Sequence, residues 1–251
     1  MLVFLSEKLN LNSRGTIFPI VRKILSYLFY AGFMPTDFSG MILTPAYQRM
    51  HLRPYITASD EAKLYKAMKE TPLRTKAMMR LALRLGLRDI DICNLRFNQI
   101  DWKKDRIVLE QEKTGVMLCL PLLEDVGNSI MDYIMNERPE AARASPYVFV
   151  RTQAPYKKLS SMYMVCSRLF SQAGIKTVNR DSQGVHVCRY TLTHKLLLKK
   201  VPHQVITDTL GHISRDSDKP YLSMEEQMLR ECPLDFSQIG QKYWEEGESH
   251  G

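Results

Sequence analysis

The stretch RIVLEQEKTGVMLCLPL, residues 106–122, follows a different hydrophobic period from the sequence on either side of it. Residues 106–111 and 116–122 are short and rich in branched and apolar side chains, and the four residues EKTG, 112–115, separate them. Two apolar runs joined by a short segment that contains glycine are typical of a β-hairpin. A further short strand is predicted at Tyr147–Val150, which indicates a small antiparallel sheet.

Helical periodicity surrounds this hairpin on both sides. Thr57 and Asp60 form a capping-box signature for the first helix of the region. Together with the hairpin, the helices predict a mainly α fold with a small three-stranded antiparallel β-sheet. The predicted helices cover residues 17–31, 57–70, 73–85, 89–95, 123–137, 159–173, 187–200 and 202–210, and another begins at Pro220.

Charge is distributed unevenly along the 251 residues, which carry a formal net charge of +8 and give a pI of about 9.2. Residues 51–224 hold 28 basic and 18 acidic side chains, a net charge of +10, whereas residues 225–251 hold 2 and 7, a net charge of −5. The basic region favours an anionic partner such as nucleic acid, although charge also serves solubility. The acidic tail suits packing on a basic surface of this chain or of a neighbour.

The five cysteines lie far apart, and no two of them form a CxxC pair. This spacing indicates thiols in a reducing compartment and argues against disulfides or a zinc site. The apolar segment at residues 17–32 contains Arg22 and Lys23, is too short to cross a bilayer, and lacks the basic region that opens a signal peptide. We therefore expect a cytoplasmic protein without a membrane segment, a metal ion or a small-molecule cofactor.

Several polar side chains suited to chemistry on a phosphodiester accompany the predicted elements. Guanidinium groups bind phosphate oxygens through paired hydrogen bonds, histidine and lysine transfer protons near neutral pH, and a deprotonated tyrosine is a nucleophile. Each position alone also fits an ordinary surface or core residue, but the set supplies what metal-free phosphoryl transfer on DNA requires. The positions are Arg88, Lys113, His186, Arg189, His212 and Tyr221.

The segment LGHISRDSDKPY, residues 210–221, holds two of these side chains. Gly211 is predicted to end one helix and to let His212 turn back toward the other polar residues. Pro220 favours the first position of a new helix, which places Tyr221 in the first turn. The helix dipole there favours a phosphate or a phenolate, although a buried tyrosine at an ordinary helix start fits the same pattern.

Five motifs stand in order along the chain: Arg88 in GLRDID, Lys113 in EKTG, HVCR at 186–189, LGH at 210–212, and Tyr221 nine positions after His212. Together with the hairpin they resemble the tyrosine recombinase (phage integrase) family, over residues 55–236. The resemblance implies the tyrosine recombinase catalytic-domain fold at residues 55–224. It also implies a partial N-terminal helical DNA-binding region at residues 1–54 and an acidic tail at residues 225–251 that docks on a neighbouring protomer.

The resemblance implies a site-specific recombinase that cuts and rejoins DNA through a 3′-phosphotyrosine intermediate, without ATP or metal. Tyr221 is then the nucleophile, and Arg88 and Arg189 hold the non-bridging oxygens of the phosphate. Lys113 is the acid for the leaving 5′-oxygen, and His186 accepts the proton of Tyr221.

Two further residues and the partners follow from the same resemblance. His212 hydrogen-bonds the phosphate, and Asp91 positions Arg88 or His186 without reacting. Double-stranded DNA is the expected partner, and a homotetramer, or a complex with partner recombinases, brings two duplexes together. The expected setting is integration or excision of a mobile element at the nucleoid of a bacterium or in a phage.

Two departures from the family pattern leave alternatives open. The residue after Arg189 is often histidine in the family and is Tyr190 here, which makes Tyr190 a rival nucleophile. Only 54 residues precede Tyr55, enough for one long helix, so weaker and strongly salt-dependent DNA binding is expected. A non-catalytic DNA-binding relative and a type IB topoisomerase remain alternatives, whereas a metal-dependent nuclease would need clustered carboxylates beside these basic residues.

Overall fold

A computed structural model describes residues 11–42, 54–175 and 184–211, and the chain divides into two compact units, residues 1–51 and 52–251. The described residues are mainly helical and include one small sheet, which confirms the predicted fold class. The helices are α1 Leu11–Tyr30, α2 Ala58–Met68, α3 Leu73–Leu85, α4 Asp89–Cys93, α5 Glu124–Asn136, α6 Tyr163–Gln172, α7 Val185–Leu198 and α8 His203–Leu210, with 3₁₀ turns at Ser39–Met41, Phe97–Gln99 and Glu140–Ala142.

In the first unit, α1 extends further toward the N-terminus than the helix predicted at residues 17–31. The apolar periodicity begins at Ile17, and the more polar residues before it carry no helical pattern. Gly32 follows the helix with φ +77°, the left-handed conformation common at helix ends. Arg22 donates through Nη2 to the carbonyl of Ile42, so the residue after the 3₁₀ turn is tied back to the helix.

Helix α3 is the central element of the second unit. It begins at Leu73 and ends at Leu85, as predicted, and Gly86 follows with φ +63°. Eight of its thirteen side chains are buried, so α3 forms the middle of the core, where it packs against α5 and α7. The preceding helix α2 is capped by Thr57, whose side chain accepts a hydrogen bond from the N–H of Asp60 at 3.2 Å, as the capping signature predicts.

The sheet contains three antiparallel strands in the order β1–β2–β3, with bounds Ile100–Asp101, Arg106–Glu110 and Met117–Pro121. Strands β2 and β3 form the predicted hairpin, in which Glu110 and Met117 are the paired residues nearest the turn. Strand β1 pairs with β2 on the opposite edge, so the hairpin becomes a three-stranded sheet.

The strand predicted at Tyr147–Val150 is wrong. These residues form only isolated bridges, from Tyr147 to Arg96 and from Val150 to Lys158, and they are not part of the sheet. Val148, Phe149 and Val150 are fully buried, so their apolar run reflects burial in the core and not strand pairing.

Helix α6 begins at Tyr163, four residues later than predicted. The carboxylate of Asp89, which is distant in the sequence, binds the residues just before the helix. Asp89 accepts hydrogen bonds from the N–H of Met162 at 2.7 Å and from the hydroxyl of Ser161 at 2.5 Å. These tertiary hydrogen bonds keep the residues before Tyr163 out of the helix, although their periodicity alone favours it. Asp89 therefore joins the start of α4 to the start of α6.

The helix predicted at Pro220 and the acidic tail at residues 225–251 lie outside the described residues. Within the described ranges, every helix is too short or too polar to cross a lipid bilayer. Cys93, Cys119 and Cys166 are free thiols, as is Cys188.

Candidate active site

Two glycines with left-handed backbone end helices α3 and α8 close to each other. Gly86 has φ +63° and Gly211 has φ +65°. A Cβ atom on Gly86 would lie 3.0 Å from side-chain atoms of both Leu192 and Leu210, so the ends of α3 and α8 pack tightly with α7. Carbonyl groups at helix C-termini lack intrahelical partners and carry partial negative charge. This region therefore offers acceptors for cationic side chains.

Arg189 occupies those acceptors from the first turns of α7. Its side chain is buried, and its guanidinium donates through Nη1 to the carbonyl of Gly86 at 2.8 Å and through Nη2 to the carbonyl of Leu210. Hydrogen bonds to a charged group are stronger than neutral ones. Arg189 thus fixes the ends of α3 and α8 against α7, and they in turn fix its orientation.

Arg88 approaches the same point from the start of α4. Its side chain is 11% exposed, Nη2 lies 3.4 Å from the carbonyl oxygen of Gly211, and Nη1 lies 3.9 Å from Oδ2 of Asp91. Burial raises the pKa of Asp91, while the N–H of Glu112 and the nearby guanidinium groups oppose that shift. The two guanidinium groups therefore favour the charged form of Asp91, against the larger effect of its burial.

Lys113 is exposed in the turn between β2 and β3, and its neighbour Glu112 is tied to α4. The N–H of Glu112 donates to Oδ1 of Asp91 at 3.0 Å, and its carboxylate accepts a hydrogen bond from the amide of Asn94 at 2.9 Å. Lys158 in turn donates to the amide oxygen of Asn94 at 2.9 Å. These contacts set where the Lys113 turn lies relative to Arg88.

His186 lies in the first turn of α7, three residues before Arg189, at the solvent-exposed edge of the site. Partial desolvation lowers the pKa of His186, and the positive charges of Arg189, Lys113 and Arg88 lower it further, against a smaller opposing effect of Asp89. The neutral imidazole is therefore favoured near neutral pH. A neutral imidazole can accept a proton.

Residues 54–228 match the sequence profile of the phage integrase family. The matched residues make up 70% of the chain. The chain belongs to this family. The protein y4gC of Sinorhizobium fredii, whose name describes it as an integrase or recombinase, is 38% identical over 164 residues, which cover 65% of this chain and 83% of y4gC. A second protein of that organism with the same description, y4rF, is 26% identical over 223 residues, which cover 86% of this chain and 52% of y4rF.

A crystal structure of a lambda integrase dimer bound to a COC′ core site shares the fold of this integrase-family chain, with a TM-score of 0.66 and 21% identity. The match covers 88% of this chain and 76% of the lambda integrase chain. The structure thus has the fold of tyrosine recombinase catalytic domains, as the sequence predicts.

Of the predicted catalytic residues, the structure brings four into one region of the integrase fold, together with the supporting Asp91. Arg189 contacts the ends of α3 and α8, and Arg88 contacts the end of α8 and the Asp91 carboxylate. Lys113 lies close enough to His186 to lower its pKa. His212 and Tyr221 lie outside the described residues, so their roles stay predictions. The four are Arg88, Lys113, His186 and Arg189.

Tyr190, the rival nucleophile, lies on α7 beside the site. Its ring packs against the apolar cluster of Leu197, Ile206 and Leu210, and its centroid lies 6.4 Å from the ring centroid of His186. These contacts fit a packing residue between α7 and α8, which disfavours a role as the nucleophile.

Gln111 belongs to this region and was missed by the sequence reasoning. It is 1% exposed, and its amide donates through Nε2 to the carbonyl of Leu210 at 2.9 Å, the carbonyl that also accepts Arg189. The alternation of β2 carried the signal: Ile107 and Leu109 face inward, so the next inward position falls on Gln111. A polar residue at an inward position predicts a buried hydrogen bond.

The chemistry of this region is that of a cationic cluster. The guanidinium groups, the ammonium group and the imidazole are donors suited to an anion such as a phosphate. In the described part of the chain, no group of three or more His, Cys, Asp or Glu side chains is arranged to hold a metal ion.

Proposed function

We propose that this integrase-family chain is a site-specific DNA recombinase that cuts and rejoins DNA through a 3′-phosphotyrosine intermediate. The observation that carries the proposal is the convergence of Arg88 and Arg189 on the carbonyl groups at the end of α8. Lys113 and His186 border the same region, since the charge of Lys113 is one of those that lower the pKa of His186. From this point the chain continues into the segment that contains Tyr221.

In the proposed reaction, Arg88 and Arg189 bind the non-bridging oxygens of the scissile phosphate. These oxygens gain negative charge as the nucleophile attacks. Because the carbonyl groups of Gly86, Leu210 and Gly211 already orient the guanidinium groups, little rearrangement is needed as the charge develops. His212 is proposed to donate a further hydrogen bond to the phosphate.

Two proton transfers accompany the exchange of bonds at phosphorus. The hydroxyl oxygen of Tyr221 forms a bond to phosphorus and gives its proton to the neutral imidazole of His186. The bond from phosphorus to the 5′-oxygen breaks, and Lys113 gives a proton to that oxygen. Attack by a 5′-hydroxyl on the phosphotyrosine then reverses these steps and joins the strands, so that no external energy source is required.

We further propose the assembly that such a reaction needs. Residues 55–224 form the catalytic domain, residues 1–54 form a partial DNA-binding region, and residues 225–251 dock on a neighbouring protomer. Two observations support double-stranded DNA as the partner: the net charge of +10 on residues 51–224 and the family match. A homotetramer or a complex with partner recombinases would hold two duplexes for integration or excision of a mobile element.

A second candidate is a non-catalytic DNA-binding relative of the family. The aligned part of the chain covers 52% of the relative y4rF and 83% of the relative y4gC. Formation of a covalent adduct with DNA distinguishes the two candidates.

A covalent trap tests the proposal. Nicked duplexes from the ends of the genetic element that encodes the protein are incubated with the chain without divalent metal and then separated on denaturing gels. Wild type and Tyr190→Phe should form a protein–DNA adduct, and Tyr221→Phe should not. An adduct that survives Tyr221→Phe would refute the assignment of the nucleophile, and intact DNA binding without any adduct would favour the non-catalytic candidate.

A further inference from the structure

Gln111 lies at the junction between the hairpin and helix α8. It directly follows β2 and is 1% exposed, which is unusual for an uncharged polar side chain at the end of a hairpin strand. A buried amide must have hydrogen-bond partners, and the partners of Gln111 come from two separate parts of the fold.

The backbone of Gln111 closes the turn that carries Lys113. Its N–H donates to the carbonyl of Val116 at 2.9 Å, and its own carbonyl accepts the N–H of Gly115 at 2.8 Å and the N–H of Thr114 at 3.3 Å. The turn is therefore built on Gln111, and any displacement of this residue displaces Lys113.

The side chain of Gln111 connects this turn to the end of α8. Its Oε1 accepts a hydrogen bond from the hydroxyl of Thr114 at 2.7 Å, and its Nε2 donates to the carbonyl of Leu210 at 2.9 Å. The amide also lies directly against Gly211, since a Cβ atom there would fall 2.5 Å from Oε1. The amide and the glycine fit together only because Gly211 has no side chain.

We infer that Gln111 is a positioning residue that holds the Lys113 turn at a fixed distance from the phosphate-binding arginines. It acts through Lys113, because the hydrogen bonds of Arg189 to Gly86 and Leu210 are made directly and do not pass through the amide. The inference rests on the proposed function, in which Lys113 protonates the leaving 5′-oxygen. A misplacement of a catalytic group by about 1 Å can cost about 10²-fold in rate.

The test compares Gln111→Met, which keeps the size of the side chain and removes its hydrogen bonds, with Lys113→Ala. Single-turnover adduct formation is measured on two nicked duplexes, one with the ordinary 5′-oxygen and one with sulfur at that bridging position. A thiolate leaves without a proton, since thiols have pKa values of about 8.5. Gln172→Met, at the exposed C-terminal end of α6, is the matched control.

On the oxygen substrate we expect Gln111→Met to lose about 10²-fold in rate. On the sulfur substrate we expect the loss to shrink to less than about threefold, as for Lys113→Ala, because the acid is no longer needed. Equal losses on both substrates would overturn the inference, because Gln111 would then act through the arginines or through folding. Wild-type rates on both substrates would overturn it as well.

Hydrogen exchange provides a readout that does not depend on activity. In Gln111→Met, the amides of residues 112–116 should exchange at least about tenfold faster, while those of α3 stay unchanged. Unchanged exchange in the turn would overturn the inference even if no protein forms an adduct. Failure of wild type to form any adduct, with faster exchange in the variant, would instead count against the proposed function alone.

Discussion

At the scale of single residues, the carbonyl of Leu210 connects the hairpin and helix α7 to the end of helix α8. It accepts hydrogen bonds from both Arg189 and Gln111, which uses the two lone pairs of a carbonyl oxygen. The next carbonyl, of Gly211, lies within reach of Arg88. The orientation of both guanidinium groups therefore depends on backbone atoms of one helix end.

Arg189→Lys should lower the rate of adduct formation by about 10²-fold or more. A lysine ammonium is a single point charge and cannot reproduce the two fixed hydrogen bonds to Gly86 and Leu210. Because the charge is kept, we expect the affinity for DNA to change by less than about threefold. Single-turnover kinetics and filter binding measure the two quantities.

Arg168→Lys is the matched control for this variant, because Arg168 is exposed on α6. It should leave both the rate and the affinity unchanged. An adduct rate in Arg189→Lys within threefold of the wild-type rate would contradict the role of the buried guanidinium.

The charge of His186 gives a prediction about pH. Its pKa lies below the ordinary value of 6.5, so the neutral, proton-accepting form persists to lower pH than usual. The rate of adduct formation should therefore persist to lower pH than an imidazole of ordinary pKa would allow, and it should fall as His186 becomes protonated. In Lys113→Met one positive charge is removed, and the pKa of His186 should rise toward 6.5.

An NMR titration of the histidine ring signals measures this pKa directly, and His186→Gln assigns the signal among the six histidines of the chain. A pKa above 6.5 in wild type, or a pKa that falls in Lys113→Met, would contradict the proposed arrangement of charges.

At the scale of secondary-structure elements, the helix ends explain why the site forms where it does. Helices α3 and α8 both stop at glycines with positive φ, which turns the chain sharply and leaves the last carbonyl groups pointing away from the helix. Arg189 on α7 and Gln111 on the hairpin then supply the donors that these carbonyl groups lack.

Gly211→Ala should destabilise the protein by more than backbone strain alone. An L-residue at φ +65° costs about 1–2 kcal/mol, and a Cβ atom 2.5 Å from Gln111 adds a further clash of about 1–3 kcal/mol. Gly174→Ala isolates the first effect, because Gly174 has φ +63° and open space around the added atom. Chemical denaturation measures the free energy of unfolding of both variants, and equal losses would contradict the close fit at Gly211.

The elements differ in how well their sequence predicts them. Some boundaries follow from a few neighbouring residues. Thr57 is a helix cap, Gly86 ends a helix in the left-handed conformation, and the hairpin strands alternate with a period of two. The start of α6 depends on Asp89, more than 70 residues earlier, and strand β1 has only two residues. Long-range contacts of this kind leave no periodic pattern in the segment that they reorganise.

The candidate site shows the same division. Arg88, Lys113, His186 and Arg189 could be predicted because their motifs stand in a characteristic order along the chain. Gln111 could not be predicted in that way, because its role depends on the carbonyl of a residue 99 positions later. The motifs predict the charged groups. The alternation of β2 places Gln111 at a buried position, but its hydrogen-bond partner on α8 follows only from the structure.

At the scale of the whole molecule, the distribution of charge favours DNA over other anions as the partner. Residues 51–224 carry a net charge of +10, and the cationic cluster of Arg88, Lys113 and Arg189 lies within this basic region. A long polyanion can contact this cluster and other basic side chains of the region together, which a small anion cannot. Much of the binding free energy should then come from the release of counterions.

The affinity for duplex DNA should fall steeply with salt. If about four phosphates are neutralised, the slope of log K against log salt concentration is about −3.6, and the affinity drops about 10²-fold between 50 and 200 mM. Fluorescence anisotropy across this range measures the slope. A slope shallower than about −1 would contradict a binding mode dominated by the DNA backbone.

The most direct test of the central claim is the identity of the residue that is joined to DNA. The covalent adduct is digested with nuclease and trypsin, and mass spectrometry locates the peptide that carries the nucleotide. The predicted result is a nucleotide on the tryptic peptide of residues 216–230, which contains Tyr221, with the link at the 3′-phosphate. A nucleotide on residues 190–195, which contain Tyr190, or on any other peptide would contradict it.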